Sequence, residues 1–133
     1  IINAYSLESA IAEKFEAMLK LGIYNSRMKD FYDIWLLPRQ FSFQGSKLTE
    51  AIRLTCNQRG TTLIEDIPAF KDEFVKQKQV QWMAFRKRLC QEHLPTELDD
   101  IVSQLNTFLS PVVDALLSGV QFDKEWTVSG KWE

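Results

Sequence analysis

The chain has 133 residues, close to the usual size of one domain. Its hydrophobic share of 45% and charged share of 26% are ordinary for a globular protein that buries one core. A net charge of −2 argues against a protein wrapped in nucleic acid, while leaving room for a local basic patch. The two cysteines, Cys56 and Cys90, lack C-x-x-C spacing, and His93 is the lone histidine, so a zinc site is not expected. Two reduced thiols fit a cytoplasmic protein. No apolar run approaches the roughly 20 residues that span a bilayer, and no signal peptide is visible, so no membrane partner is expected.

Apolar spacing of three and four predicts mainly helices. The first runs from Leu7 to Leu21, with Ser6 as N-cap, Glu8 in the first turn and Gly22 as the stop. The second runs from Arg27 to Leu37, capped by Asn25 or Ser26 and ended by Pro38. The segment "RQFSFQG" reads as a partly extended connector. A third helix follows over Lys47–Asn57, capped by Ser46 and stopped near Gly60. Pro68 opens a short fourth helix, "PAFKDEFV", and a fifth covers Lys76–Gln91 with Val75, Trp82, Phe85 and Leu89 near one face. Pro95 and Thr96 start a long sixth helix, which Pro111 should kink or split. The tail "VQFDKEWTVSGKWE" alternates more like a short strand or hairpin arm, with an ordered coil as the alternative. Trp126 and Trp132 in that tail are expected to dock onto the helical core, and His93 to lie on the surface at a helix end. The fold class is therefore all-α: a mainly helical bundle with a short extended or irregular C-terminal tail, in a single domain over residues 1–133. The chain opens on Ile1 and reads as a C-terminal fragment of a longer protein.

Charges on the apolar faces carry the functional question. At about 100° per residue, Leu7, Ala10, Ile11, Phe15, Met18, Leu19 and Leu21 form one arc of the first helix, and Lys14 falls inside it. Glu13, Glu16 and Lys20 fall outside it as a solvated face. On the second helix, in "NSRMKDFYDIWLL", the arc is Met28, Phe31, Ile34, Trp35 and Leu37. Asp30 sits at its edge with Arg27 on the same side, and Lys29, Tyr32 and Asp33 point away. A short loop makes the two helices an antiparallel hairpin. Desolvating a lone charge costs several kcal/mol, so Lys14 and Asp30 need partners or a ligand. One outcome is a structural salt bridge, joined by Arg27, in a non-catalytic interaction module. The other is an active-site wall holding an amine and a carboxylate away from bulk water.

The block "LESAIAEKFEAMLKLGIYNSRMKDFYDIWLL" resembles the AbiEii/AbiGii family of nucleotidyltransferase-like toxins, of type IV toxin–antitoxin and abortive-infection systems. An A-E-K helix is followed by S-R-x-K-D-x-x-D, and close similarity covers residues 7–37. The resemblance implies a two-part α/β fold. An N-terminal sheet domain carries Gly-Ser and paired metal-binding aspartates, and a helical part, which this chain looks like, completes the nucleotide cleft. Gly45-Ser46 lacks the acidic partner, and Asp99-Asp100 begins a helix, so the sheet part is missing here and the fragment alone would be inactive. Carried over, the family's motif lysine and aspartate fall on Lys14 and Asp30 as catalytic residues, with Arg27 and Lys29 as nucleotide-binding candidates in the same block. The implied reaction transfers a nucleotide from a nucleoside triphosphate to an RNA acceptor, plausibly tRNA, with Mg²⁺ held by the absent aspartates and no metal ligand in this fragment. A cognate antitoxin, acting at gene or protein level, is the implied partner.

"KQKQVQWMAFRKR" adds five cations without an acid. Lys76, Lys78, Arg86, Lys87 and Arg88 are RNA-phosphate candidates, against the plainer reading of an amphipathic helix that buries Trp82 and Phe85 and solvates the rest.

Overall fold

The computed structural model describes residues 6–91 and 93–133. Among them are five α-helices, two single-turn 3₁₀ helices and a three-stranded sheet of very short strands, so the mainly helical expectation holds. α1 covers Leu7–Leu21, as the sequence predicts. Ser6 caps it by accepting the backbone N–H of Ser9 at 3.0 Å, and Gly22 ends it at φ +55°, a value that a side chain would resist.

α2 covers Met28–Gln40 and departs from expectation at both ends. Its N-cap is Arg27, while Asn25 instead turns the chain into the helix, its Oδ1 accepting the Arg27 N–H at 2.8 Å. Pro38 does not end the helix. One more turn follows, closed by Phe41 N–H donating to the Leu37 carbonyl at 2.9 Å. Pro38 is buried, and its own carbonyl accepts from the Trp126 indole N–H at 3.0 Å, so tertiary packing overrides the local preference.

α3 covers Gly45–Arg59, two residues longer at each end than predicted, with Gln44 rather than Ser46 at the N-cap and left-handed Gly60 as the stop. The expected fourth and fifth helices are one. A 3₁₀ turn at Pro68–Phe70 leads into α4, an unbroken helix over Asp72–Leu89. No Gly or Pro lies within that span to break it, and Asp72 and Glu73 favour the new N-terminus. Cys90, at φ +57°, ends α4.

α5 covers Leu98–Ser118 and starts later than Pro95 or Thr96 predicted. Pro111 lies inside it without splitting it. Phe108, Leu109, Val112 and Val113, on both sides of that proline, are buried. Each such side chain contributes about 1.5–3 kcal/mol on burial, which together outweighs the roughly 3 kcal/mol that an interior proline costs. Among the described residues, α5 is the one helix long and apolar enough to cross a membrane, which the sequence reading did not anticipate. Its apolar stripe lies within the common core, from Leu98 and Ile101 through Leu105 to Val113.

The helices share one core, with α1 packed most extensively on α3 and then on α2, while α5 touches α2, α3 and α4. The connector and tail meet in the sheet: β1 (Phe43–Gln44) pairs antiparallel with β2 (Glu125–Thr127), which pairs antiparallel with β3 (Lys131–Trp132). The hairpin reading of the tail is therefore right, and both tryptophans dock. Trp126 is buried edge-on to Phe108 (4.9 Å between centroids), and Trp132 stacks on the same ring at 5.5 Å while donating to the Phe108 carbonyl at 2.8 Å. His93 is exposed after α4.

Candidate functional site

Packing of α1 against α2 brings Lys14, from the middle of α1, to the first turns of α2. The lysine ammonium lies 3.8 Å from Asp30 Oδ1 and 2.9 Å from Asp33 Oδ2. Arg27 Nε lies 3.1 Å from Asp30 Oδ2, and Lys29 Nζ lies 2.8 Å from Asp33 Oδ2. Lys14, Arg27, Lys29 and Asp30, all predicted from the sequence, therefore meet in one cluster. Asp33 joins them, which corrects its expected outward orientation: it bonds to Lys29 as its i, i+4 spacing allows, and it also turns inward to Lys14. The signal was present, since residues three apart on a helix are neighbours and Asp33 follows Asp30 by three. Tyr32 is likewise buried rather than outward, with its hydroxyl donating to Gln91 at 3.2 Å.

Asp30 is the buried centre of the cluster, its side chain 5% exposed. Arg27 approaches Oδ2 without the alignment of a hydrogen bond, and that oxygen is buried with no hydrogen-bond partner. Asn25 Nδ2, in the turn that precedes the cluster, is a second buried polar atom without one. Burial pushes the Asp30 carboxyl above the usual aspartate range, and the nearby Arg27 and Lys14 charges offset only part of that. The hydrogen bond to Asp33 holds the Lys29 ammonium above the usual lysine value.

The cluster opens onto a cleft of about 800 Å³. Lys14, Arg27, Lys29 and Asp30 line one side, and α4 forms the other with Gln81, Phe85 and Arg88. These α4 residues follow a helical i, i+4, i+7 spacing, the signal that would have placed them on one face. The five cations of "KQKQVQWMAFRKR" are not gathered on one face. Lys76 and Lys87 are exposed and face outward, eleven residues apart on nearly one line of the helix. Lys78 sits 5.9 Å from the Phe74 ring, and Arg86 Nε donates to the Leu94 carbonyl at 2.8 Å. Arg88 alone of the five lines the cleft.

Magnesium, which the resemblance implies, does not fit these residues. No group of three or more Asp, Glu, His or Cys side chains comes together among the described residues. The carboxylates of the cluster, Asp30 and Asp33, are flanked by Lys14, Arg27 and Lys29, which repel a divalent cation. The cysteines offer no alternative chemistry. Burial, aided by the Glu16 charge, pushes the Cys56 thiol up, away from a reactive thiolate, and both cysteines are free.

Glu16, expected on a solvated face, is 2% exposed instead. Its carboxylate accepts from Arg59 at 3.1 Å and from the Thr61 hydroxyl, tying α1 to the end of α3. The partners lie more than forty residues away, so helical periodicity on α1 could not reveal them. A separate cavity of about 390 Å³ lies between α2, α5 and the tail. Its polar groups are already engaged: the Gln104 side-chain oxygen accepts from Trp35 Nε1 at 3.0 Å and from Arg39 at 3.2 Å.

No curated protein and no solved structure matches the chain. A family model described as nucleotidyl transferase AbiEii toxin, type IV toxin–antitoxin system, matches residues 1–115, a span that contains the whole α1–α2–α4 cleft. The chain belongs to the AbiEii nucleotidyl transferase toxin family.

Proposed function

We propose that the α1–α2–α4 cleft binds a nucleoside triphosphate, and that the intact protein transfers its nucleotide to an RNA acceptor such as a tRNA, in the cytoplasm and against a cognate antitoxin. The observation that carries this reading is the cleft's charge. An acidic chain gathers three cations, Lys14, Arg27 and Lys29, against two carboxylates, Asp30 and Asp33, beside an open cleft, which leaves an excess of positive charge suited to a polyphosphate.

In this reading Lys14 contacts the phosphates and stabilises charge as pyrophosphate leaves. It is held for that task by Asp33, at 2.9 Å. Arg27 and Lys29, both largely exposed, swing onto the outer phosphates. Asp30 Oδ2, buried and without a hydrogen-bond partner beside the Arg27 charge, accepts a hydrogen bond from the attacking hydroxyl and orients it. Its raised proton affinity makes it a better acceptor than an ordinary aspartate. The metal aspartates expected in this family would come from a sheet-bearing part of the protein outside this chain, so no step here runs through a metal. Lys76 and Lys87, on the outward face of α4, are the RNA contacts this reading retains.

The ion pairs themselves favour a second reading, a non-catalytic module in which Lys14 staples α1 to α2 through Asp30 and Asp33. Titration of the intact protein with nucleoside triphosphates separates the two. Saturable binding that Lys14→Ala weakens supports the first; absence of binding by the wild-type protein supports the second.

A further inference from the structure

We infer that Arg88, on α4, is a triphosphate-binding residue of this cleft and not part of an RNA-binding face. The inference rests on the nucleotide reading above and extends it to the opposite wall. The sequence groups Arg88 with four other cations, but the fold separates them. Arg86 is bonded to the Leu94 carbonyl, Lys76 and Lys87 face outward, and Arg88 turns into the cleft that holds Lys14 and Arg27.

The backbone beneath Arg88 is firmly mounted. Trp82 Nε1 donates to the Pro95 carbonyl at 3.0 Å, the Arg86 bond anchors the same loop, and the Tyr32–Gln91 contact ties the end of α4 to α2. The guanidinium itself is exposed, with no hydrogen bond or ion pair among the described residues. Arg88 thus adds an uncompensated cation to a wall facing Lys14, Arg27 and Lys29. Asp30 and Asp33 balance two of the three cations opposite, so Arg88 adds to a remaining positive excess that favours a polyanion, and a planar guanidinium on a fixed helix suits two phosphate oxygens at once. A triphosphate carries its charge within a few ångströms, which matches cations converging on one cleft. An RNA backbone spreads its charge along the strand and suits the outward line of Lys76 and Lys87 better.

The test measures two affinities in the intact protein, one for nucleoside triphosphate by calorimetry and one for tRNA by gel shift. Arg88→Gln should weaken triphosphate binding about tenfold or more, as expected for loss of a charge-assisted contact, and leave tRNA affinity within about twofold. Lys47→Gln, which removes an exposed cation from α3 outside the cleft, should change neither. Arg88→Gln with unchanged triphosphate affinity overturns the inference, as does a loss confined to tRNA. In both cases a wild-type protein that binds triphosphate leaves the nucleotide reading standing. A wild-type protein that binds no triphosphate overturns both.

Discussion

Lys14 reaches Asp33 at 2.9 Å but Asp30 at only 3.8 Å, so its tighter carboxylate partner is the more exposed of the two. Asp33 therefore sets the position of the ammonium, and Asp30 keeps a buried oxygen free of hydrogen bonds. In the nucleotide-transfer reading proposed above, Asp33 is then a positioning carboxylate and Asp30 the one that receives the incoming hydroxyl. Asp33→Asn should raise the KM for nucleoside triphosphate more than it lowers kcat, whereas Asp30→Asn should lower kcat with little change in KM. Steady-state kinetics of the intact protein would show the split, and identical effects on both constants would remove it.

The stability of Asp30 runs against its ionisation. Burial raises its proton affinity in the folded state above that of the unfolded chain, so the folded state binds the proton more readily. The stabilising contribution is complete below the unfolded value, about pH 4, and is lost as pH rises through the higher folded value. Asp30→Asn, which mimics the neutral acid, should match the wild type at low pH. It should become the more stable of the two as pH rises. Urea unfolding from about pH 3 to 7 tests the sign. A variant that loses stability relative to wild type with rising pH would mean that the Lys14 and Arg27 pairings outweigh burial.

Glu16 predicts a purely structural loss. Arg59→Ala leaves a carboxylate that is almost fully buried with Thr61 as its remaining hydrogen-bond partner among the described residues. The cost should be about 1–3 kcal/mol in chemical denaturation, with triphosphate affinity unchanged, because Glu16 and Arg59 do not line the cleft.

Gly45 marks where the tail closes on the helices. Its N–H donates to the Lys124 carbonyl at 2.7 Å. A Cβ there would meet the Phe122 ring and lie 2.6 Å from the Lys124 oxygen. Gly45→Ala should cost about 1–3 kcal/mol, typical of overpacking, and loosen the β1–β2 pairing. Hydrogen exchange at the Gly45 amide, which donates to the Lys124 carbonyl, reads that pairing directly.

Local signals were legible and long-range ones were not. Ser6, Glu8 and Gly22 delimit α1 correctly because capping and dipole effects act within one turn. Lys14 and Asp30 stood out because a charge inside an apolar arc is a local anomaly, and the fold confirms that they meet. Pro38 and Pro111 misled because their local cost is outweighed by burial against residues far away in sequence, Trp126 among them. Glu16 was misassigned for the same reason: Arg59 and Thr61 are visible only once α1 packs on α3. The α4 wall was missed for a long-range reason too. The expected fifth helix, Lys76–Gln91, already spans Gln81, Phe85 and Arg88, but which of its faces meets α1 and α2 is set by packing between distant segments.

The central claim is that this cleft handles the triphosphate of a nucleotide-transfer reaction. Its most direct test follows a labelled nucleotide from nucleoside triphosphate to RNA in the intact protein, comparing wild type with Lys14→Ala. Loss of a charge stabiliser at the phosphates should slow transfer about 100-fold or more, with the fold intact by circular dichroism. Wild-type transfer that persists unchanged in Lys14→Ala would contradict the account.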